Sequence, residues 1–180
     1  MPEPAPTPES SNTNATYTKL LGLLDQQGAQ YRLIDHPAEG RCEIVSPMRG
    51  HDVSHAAKCM IVKVKTGKKD RKFILAVVPG DAKINFDVLS NMFGGEARFA
   101  DQENAERLAG SVAGTVLPFS FNEELTLIVD PSLKEHEFIY FNAARLDQSV
   151  ELKTADYLRI TNPRMERITG AEIKKKQDYF

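Results

Sequence analysis

The middle of the chain commits itself first. Residues 58–65 (Lys-Cys-Met-Ile-Val-Lys-Val-Lys) and 72–78 (Lys-Phe-Ile-Leu-Ala-Val-Val) both read as strands, and they flank the turn-rich Thr66-Gly67-Lys68-Lys69-Asp70. Two strand-like runs joined by a short link containing glycine predict a β-hairpin. Further strands are expected at 31–34, 125–129, 138–142 and 150–152. Helical stripes lie among them. Tyr17, Leu20, Leu21 and Leu24 follow the i, i+3, i+4, i+7 spacing, with Gly28 as a stop. Asn85 is placed to cap a helix whose Phe86, Leu89, Met92 and Phe93 form one face, ended by Gly94-Gly95. Asp101 caps a second helix that ends at Gly110, and Thr154 a last one through Ile160. The stretch 38–55 reads as a loop or short helical segment. Helices and strands mix without strict βαβ alternation, so the expected fold is α+β, a single domain with a largely antiparallel mixed sheet and flanking helices.

Composition narrows the function. A chain of 180 residues is long enough for one domain with a substantial core. No run approaches the roughly 18 apolar residues of a membrane span. The opening MPEPAPTPESSNTNAT has no basic start and no apolar stretch, which argues against a secretory signal. Two cysteines, Cys42 and Cys59, are too few for a disulfide scaffold, so a reduced, cytoplasmic setting is expected. The net charge of −2 excludes a globally basic nucleic-acid binder but leaves room for a local basic patch. Residues 1–15, with four prolines, read as a disordered leader; 16–169 form the folded body and 170–180 a charged tail.

Candidate site residues come from strand parity and loop chemistry. Along 58–65, positions 58, 60, 62 and 64 share one face and 59, 61, 63 and 65 the other. The face ending in two lysines is the expected solvent side, which puts Lys58 at the mouth of the apolar face beside Met60. Such a lysine either snorkels to water or meets a ligand. The segment Gly110-Ser-Val-Ala-Gly114-Thr115-Val-Leu-Pro118-Phe119 is a glycine loop able to aim N–H groups at a carboxylate, phosphate or ester carbonyl. It is neither a Walker loop nor a dinucleotide fingerprint. His36, Cys42, Glu43, His51, His55 and Cys59 lie close in sequence, but none of the usual metal-ligand spacings is present. No G-x-S-x-G motif marks a nucleophile. Lys63, Lys65, Lys68, Lys69, Arg71 and Lys72 make the hairpin densely basic: either a solvated strand edge or a phosphate-contacting surface.

Ordered blocks then carry a resemblance that runs from about Thr16 to Pro163. They are Ala57-Lys58 opening a strand, Leu75-Ala-Val-Val-Pro79, Ala105-Glu-Arg-Leu-Ala-Gly110, Gly114-Thr-Val-Leu-Pro118-Phe119, Val129-Asp130-Pro131 and Phe141-Asn142-Ala143-Ala144. In these the chain resembles the YbaK/ProX superfamily of free-standing aminoacyl-tRNA editing domains, relatives of the editing insertion of prolyl-tRNA synthetase. Arg41-Cys42-Glu43, Arg49-Gly50, Pro118-Phe-Ser-Phe121 and Lys153-Thr-Ala-Asp-Tyr-Leu-Arg-Ile160 make it most similar to the YeaK-type branch.

The resemblance implies a trans-acting deacylase, without cofactor or metal. It would hydrolyse the ester of tRNA mischarged with Ser, Thr or Ala, and an aminoacyl-tRNA synthetase is an admissible second partner. It also implies site roles. Lys58, Gly114 and Thr115 would be catalytic; Asn142, Pro118, His36 and Met60 would contact substrate; the six basic hairpin residues would hold tRNA. The competing readings are a non-catalytic tRNA- or synthetase-binding module and a metal-dependent hydrolase built on His36, His51 or His55.

Overall fold

The hairpin is the centre of the larger of two sheets. In this computed structural model, which describes residues 8–170, β2 (Ala57–Lys65) pairs antiparallel with β3 (Arg71–Pro79), from Ala57↔Pro79 to Lys65↔Arg71. Outside β2 lies β4 (Glu96–Phe99), antiparallel; outside β3 lie β5 (Leu125–Val129) and β8 (Arg164–Met165), both parallel. The smaller sheet has three strands in the order β1 (Tyr31–Asp35), β7 (Gln148–Lys153), β6 (Phe138–Arg145), all antiparallel. Among the described residues five α-helices complete the fold: α1 (Pro8–Gln26), α2 (Cys42–Arg49), α3 (Phe86–Phe93), α4 (Gln102–Ala109) and α5 (Thr154–Thr161). The result is α+β with four antiparallel and two parallel pairings.

Helix α1 begins inside the stretch expected as a leader. Residues 1–7 of that leader and 171–180 of the expected tail lie outside the described residues.

Strand β3 is buried from Phe73 to Pro79 because both of its faces are covered. On one side α3 packs Leu89 against Val62, Val64, Ile74 and Ala76. On the other, the smaller sheet and α1 bring Ile139, Val150 and Leu24 against Ile61, Leu75 and Val77. This corrects the expectation that 59, 61, 63 and 65 face solvent. Ile61 is in the core between the sheets, and only toward the turn does that face reach water, with Lys63 half-buried and Lys65 exposed. Parity placed the residues on the right two faces; the second sheet supplies a cover that alternation alone does not show.

The caps follow local chemistry. Asn85 accepts from the N–H groups of Asp87 and Val88, and Asp101 from that of Asn104. Thr154 is not a cap. It is the first residue of α5, entered directly from β7, and its backbone N–H donates to the Glu137 carbonyl. Residues 38–55 resolve into α2 and a 3-10 turn, Val53–His55.

One buried carboxylate ties the C-terminal end to the main sheet. Asp130, 1% exposed, accepts from the Ser132 N–H and hydroxyl with one oxygen and from the Ile168 and Thr169 N–H groups with the other. Burial opposes its ionisation, but these hydrogen bonds outweigh burial and hold its pKa below the usual carboxylate value. A depressed folded-state pKa contributes stability above the unfolded pKa and loses it as pH falls through the folded one. Asp130→Ala is expected to destabilise the fold by about 1–3 kcal/mol at pH 7. Urea melts across pH should show that penalty shrinking once pH drops below about 4.

Candidate active site

Where the two sheets and the loops at their edge meet, a cavity of about 230 Å³ opens. Lys58 and Met60 of β2, Asn142 of β6, Arg49 of α2 and the glycines Gly40 and Gly114 line it. Four residues expected from sequence therefore do come together: Lys58, Met60, Gly114 and Asn142.

The two glycines explain each other. Gly114 holds a φ of 85°, a left-handed value that disfavours a side chain. A Cβ on either glycine would sit 3.1 Å from the other's Cα. The loops carrying them are thus in backbone contact, and a methyl group on either would press them apart by a few tenths of an ångström.

Asn142 holds that contact from beneath. Its Nδ2 donates to the carbonyls of Glu39 (2.8 Å) and Gly114 (3.0 Å), one on each loop. Its Oδ1 accepts from Arg49 Nη2 (2.9 Å) and from the Ser149 hydroxyl (2.9 Å). Two carbonyls on one side and two donors on the other fix the amide orientation without ambiguity. Arg49 Nε also donates to Ser149 Oγ, at 2.7 Å. Behind this group His36, 9% exposed, donates from Nδ1 to the Pro37 carbonyl and sets Nε2 2.6 Å from Ser149 Oγ.

Three other expected site residues sit off the cavity wall. His36 reaches it only through Ser149 and Asn142. Thr115 is buried, and both its backbone N–H and its hydroxyl donate to the Val112 carbonyl. Pro118 is buried as well, and its carbonyl accepts from the Tyr157 hydroxyl at 2.7 Å. Thr115 and Pro118 shape the glycine loop from behind.

Lys58 lines the cavity while its ammonium donates to the Ala82 carbonyl. An ammonium has three protons, so that bond leaves two for a ligand. Burial pushes the Cys42 and Cys59 thiols up, so both are protonated at neutral pH and poor nucleophiles. Burial likewise lowers His51 to about 4; its ring stacks on Tyr140 with centroids 3.7 Å apart. His55, its ring centre 6.3 Å from that of His51, stacks on His136 at 3.9 Å. Cys42, Glu43 and Cys59 thus line the cavity together while the histidines stack outside it or stand behind it, and among the described residues no three His, Cys, Asp or Glu side chains are grouped to hold a metal ion.

The register also divides the basic hairpin. Lys65 pairs with Arg71 and Lys63 with Phe73, on the inter-sheet side; Lys72 pairs with Val64 on the α3 side, its ammonium 5.8 Å from the Phe93 ring centre. Lys68 and Lys69 are exposed at the tip. Lys65 lies seven residues along β2 from Lys58, roughly 23 Å at strand rise.

Sequence reasoning about the site passed over Arg49 and Ser149. A signal for Arg49 exists: Cys42, Val45, Ser46 and Arg49 repeat at i, i+3, i+4 and i+7, a stripe facing inward on α2. The four bonds of Asn142 make a stability prediction. Asn142→Ala leaves the Glu39 and Gly114 carbonyls and Arg49 Nη2 without partners, so unfolding free energy should fall by about 1–3 kcal/mol. Hydrogen exchange should rise in the loops around residues 40 and 114, which a urea melt paired with exchange mass spectrometry would read.

Comparison with known proteins places this geometry. The family model described as "Aminoacyl-tRNA editing domain" matches residues 36–160, which include every cavity residue named above. A protein of Escherichia coli strain K12, "Multifunctional Ser/Thr-tRNA deacylase ProXp-y", is 40% identical over 159 residues, covering 87% of this chain and 95% of that protein. Its counterpart in Escherichia coli O157:H7 matches equally well. The crystal structure of hypothetical protein APE2540 superposes with a TM-score of 0.75 at 20% identity, over 84% of this chain and 99% of that one, a likeness of fold. On the family match and the 40% identity together, the chain belongs to the aminoacyl-tRNA editing domain family.

Proposed function

We propose that this protein is a trans-acting aminoacyl-tRNA deacylase that cleaves the ester of tRNA mischarged with serine or threonine, and with alanine as their smaller neighbour. The observation that carries the reading is the cavity itself. It is small, rimmed by two glycine backbones and lined by the cations Arg41, Arg49 and Lys58 with the carboxylate of Glu43, and its two thiols are protonated. Such a site suits a substrate already activated for attack by water.

The mechanism follows from that chemistry. Water adds to the ester carbonyl carbon, and the C=O π pair moves onto the carbonyl oxygen. The water's proton passes through the vicinal ribose hydroxyl to the ribose oxygen. That oxygen departs with the pair of the breaking C–O bond as the carbonyl re-forms. The Gly114 N–H, which makes no hydrogen bond among the described residues, donates to the carbonyl oxygen. Lys58 anchors the terminal adenosine end by charge and sets the ester beside the water. His51, with a pKa of about 4, is too weak a base to compete with the ribose route.

The name of the 40% identical relative supports serine and threonine as the amino acids. A pocket separates neighbours differing by one methylene by only about 1–3 kcal/mol, which is why alanine belongs in the set. The tRNA body is held mainly through phosphates, with Lys65, Lys68, Lys69 and Arg71 contacting backbone away from the 3′ end. A synthetase that hands over mischarged tRNA is a second partner, in the cytoplasm where both would meet. No described helix is long and apolar enough to cross a membrane.

Deacylation of tRNAs charged with Ala, Ser, Thr, Cys and Pro tests the reading. The wild-type protein is expected to release Ser, Thr and Ala and to spare Cys and Pro. Lys58→Ala should lower the rate on order of 10²-fold through lost positioning. If no ester is cleaved while tRNA still binds, the protein is a binding module and Lys58 a structural lysine. A second measurement addresses the hairpin. Binding should weaken as salt rises, and reversing charge at Lys65, Lys68 and Lys69 should flatten the log–log slope by about 0.7–0.9 per lost phosphate contact.

A further inference from the structure

Arg49 is a buried charge, 8% exposed, without a counter-ion among the described residues. Its fork is held rigidly, Nε on Ser149 and Nη2 on Asn142, and both of those partners are neutral. The remaining nitrogen, Nη1, is buried without any hydrogen-bond partner. Leaving a buried guanidinium unpaired is costly, and a native structure retains such a group where something else completes it. Arg49 lines the cavity, but Nη1 itself is closed off from it, so a ligand completes it by parting the wall between them.

Resting on the deacylase reading, we infer that Arg49 is a catalytic residue: its Nη1–H donates to the carbonyl oxygen of the scissile ester and stabilises the negative charge that develops there.

Three features converge on that atom. The glycine loop supplies one free donor rather than two, because the Thr115 N–H is spent on Val112, so the oxyanion lacks a second partner. Asn142 binds Arg49 with one end and the Gly114 carbonyl with the other, so a single side chain sets the spacing between guanidinium and glycine loop. Charge decides among ligand atoms. The α-ammonium of the aminoacyl group is repelled by Arg49, which turns the carbonyl toward it. Burial lowers the Arg49 pKa only to about 10, so the group stays cationic at neutral pH. A fixed cation meeting charge that appears only on the way to the tetrahedral intermediate favours the transition state over the ground state.

The test compares Arg49→Met with wild type on Ser-, Thr- and Ala-tRNA under single-turnover and steady-state conditions. The expected result is a fall in kcat of about 10²–10³-fold, equal for the three amino acids, with KM little changed. Arg49→Lys, which keeps charge but not the fork, should recover part of it. A loss confined to Ser and Thr would mean that Arg49 reads the side-chain hydroxyl, and a rise in KM alone that it anchors a phosphate; either overturns the inference. Full activity in Arg49→Met with an active wild type also overturns it and leaves the deacylase reading standing, whereas an inactive wild type removes both.

If the variants fail to fold, the wild-type protein still decides. An anionic seryl-phosphonate analogue of the adenosine ester should bind at least 100-fold more tightly than the neutral amide analogue, and only the phosphonate should shift the Arg49 guanidinium 15N resonances. Equal affinities with unmoved resonances would refute the role.

Discussion

The candidate active site depends on one carboxamide. Asn142 projects from β6 into the gap between two loops far apart in sequence and bonds a carbonyl on each, at Glu39 and Gly114. Its other end grips Arg49 and Ser149. A residue with two donors and one strong acceptor is the chemistry this position requires. A carboxylate would set its oxygens against two carbonyls, and a hydroxyl has a single proton to give. The strand also prepares the placement: the β6–β7 register shifts between Asn142 and Arg145, and Ala144 takes a φ of 61°. The ladder is interrupted just beyond the residue that must turn inward.

That dependence explains why the glycine loop looks as it does. Glycines near a ligand invite the reading that the backbone must approach the ligand. Here Gly114 is glycine first because its backbone approaches Gly40, and because its φ excludes most side chains. The close contact between the loops builds the rim, and access to substrate is its consequence. Thr115 and Pro118 belong to the same construction, buried on the far side of the loop and bonded to Val112 and Tyr157.

The sequence made much of this legible, and unevenly. The hairpin, the α1 stripe and the caps at Asn85 and Asp101 rest on local patterns, and local patterns survive folding. Lys58 and Asn142 emerged from strand parity and family likeness, and both line the cavity. Less visible was whatever depends on distant segments. β4 is four residues long with one buried side chain, too little for alternation to register. β5 pairs in parallel with β3 through Phe73↔Leu125, a partnership no neighbouring residue announces. Ile61 looked exposed because two of the three strands in the covering sheet, β6 and β7, come from the other half of the chain. Arg49 was the costliest omission, since an arginine ending an apolar stripe is easily read as the stripe's solvent edge. Its burial follows from Ser149 and Asn142, which reach it from 100 and 93 residues away.

Energetics separate the two kinds of charge in this protein. The ion pairs that catch the eye, such as Arg32–Glu151 and Arg145–Asp147, have at least one side chain well exposed, and pairs of that kind contribute little. The charge with consequences is the buried guanidinium of Arg49, which has no counter-ion among the described residues. A fold does not spend burial on Arg49 for stability, because an apolar side chain of similar volume would cost less there. What the guanidinium does provide is a cation that need not reorganise when charge appears beside it, held by neutral groups that compete little for its field. On that view the stability given up at α2 and the reactivity available at the cavity are one property of the same buried fork.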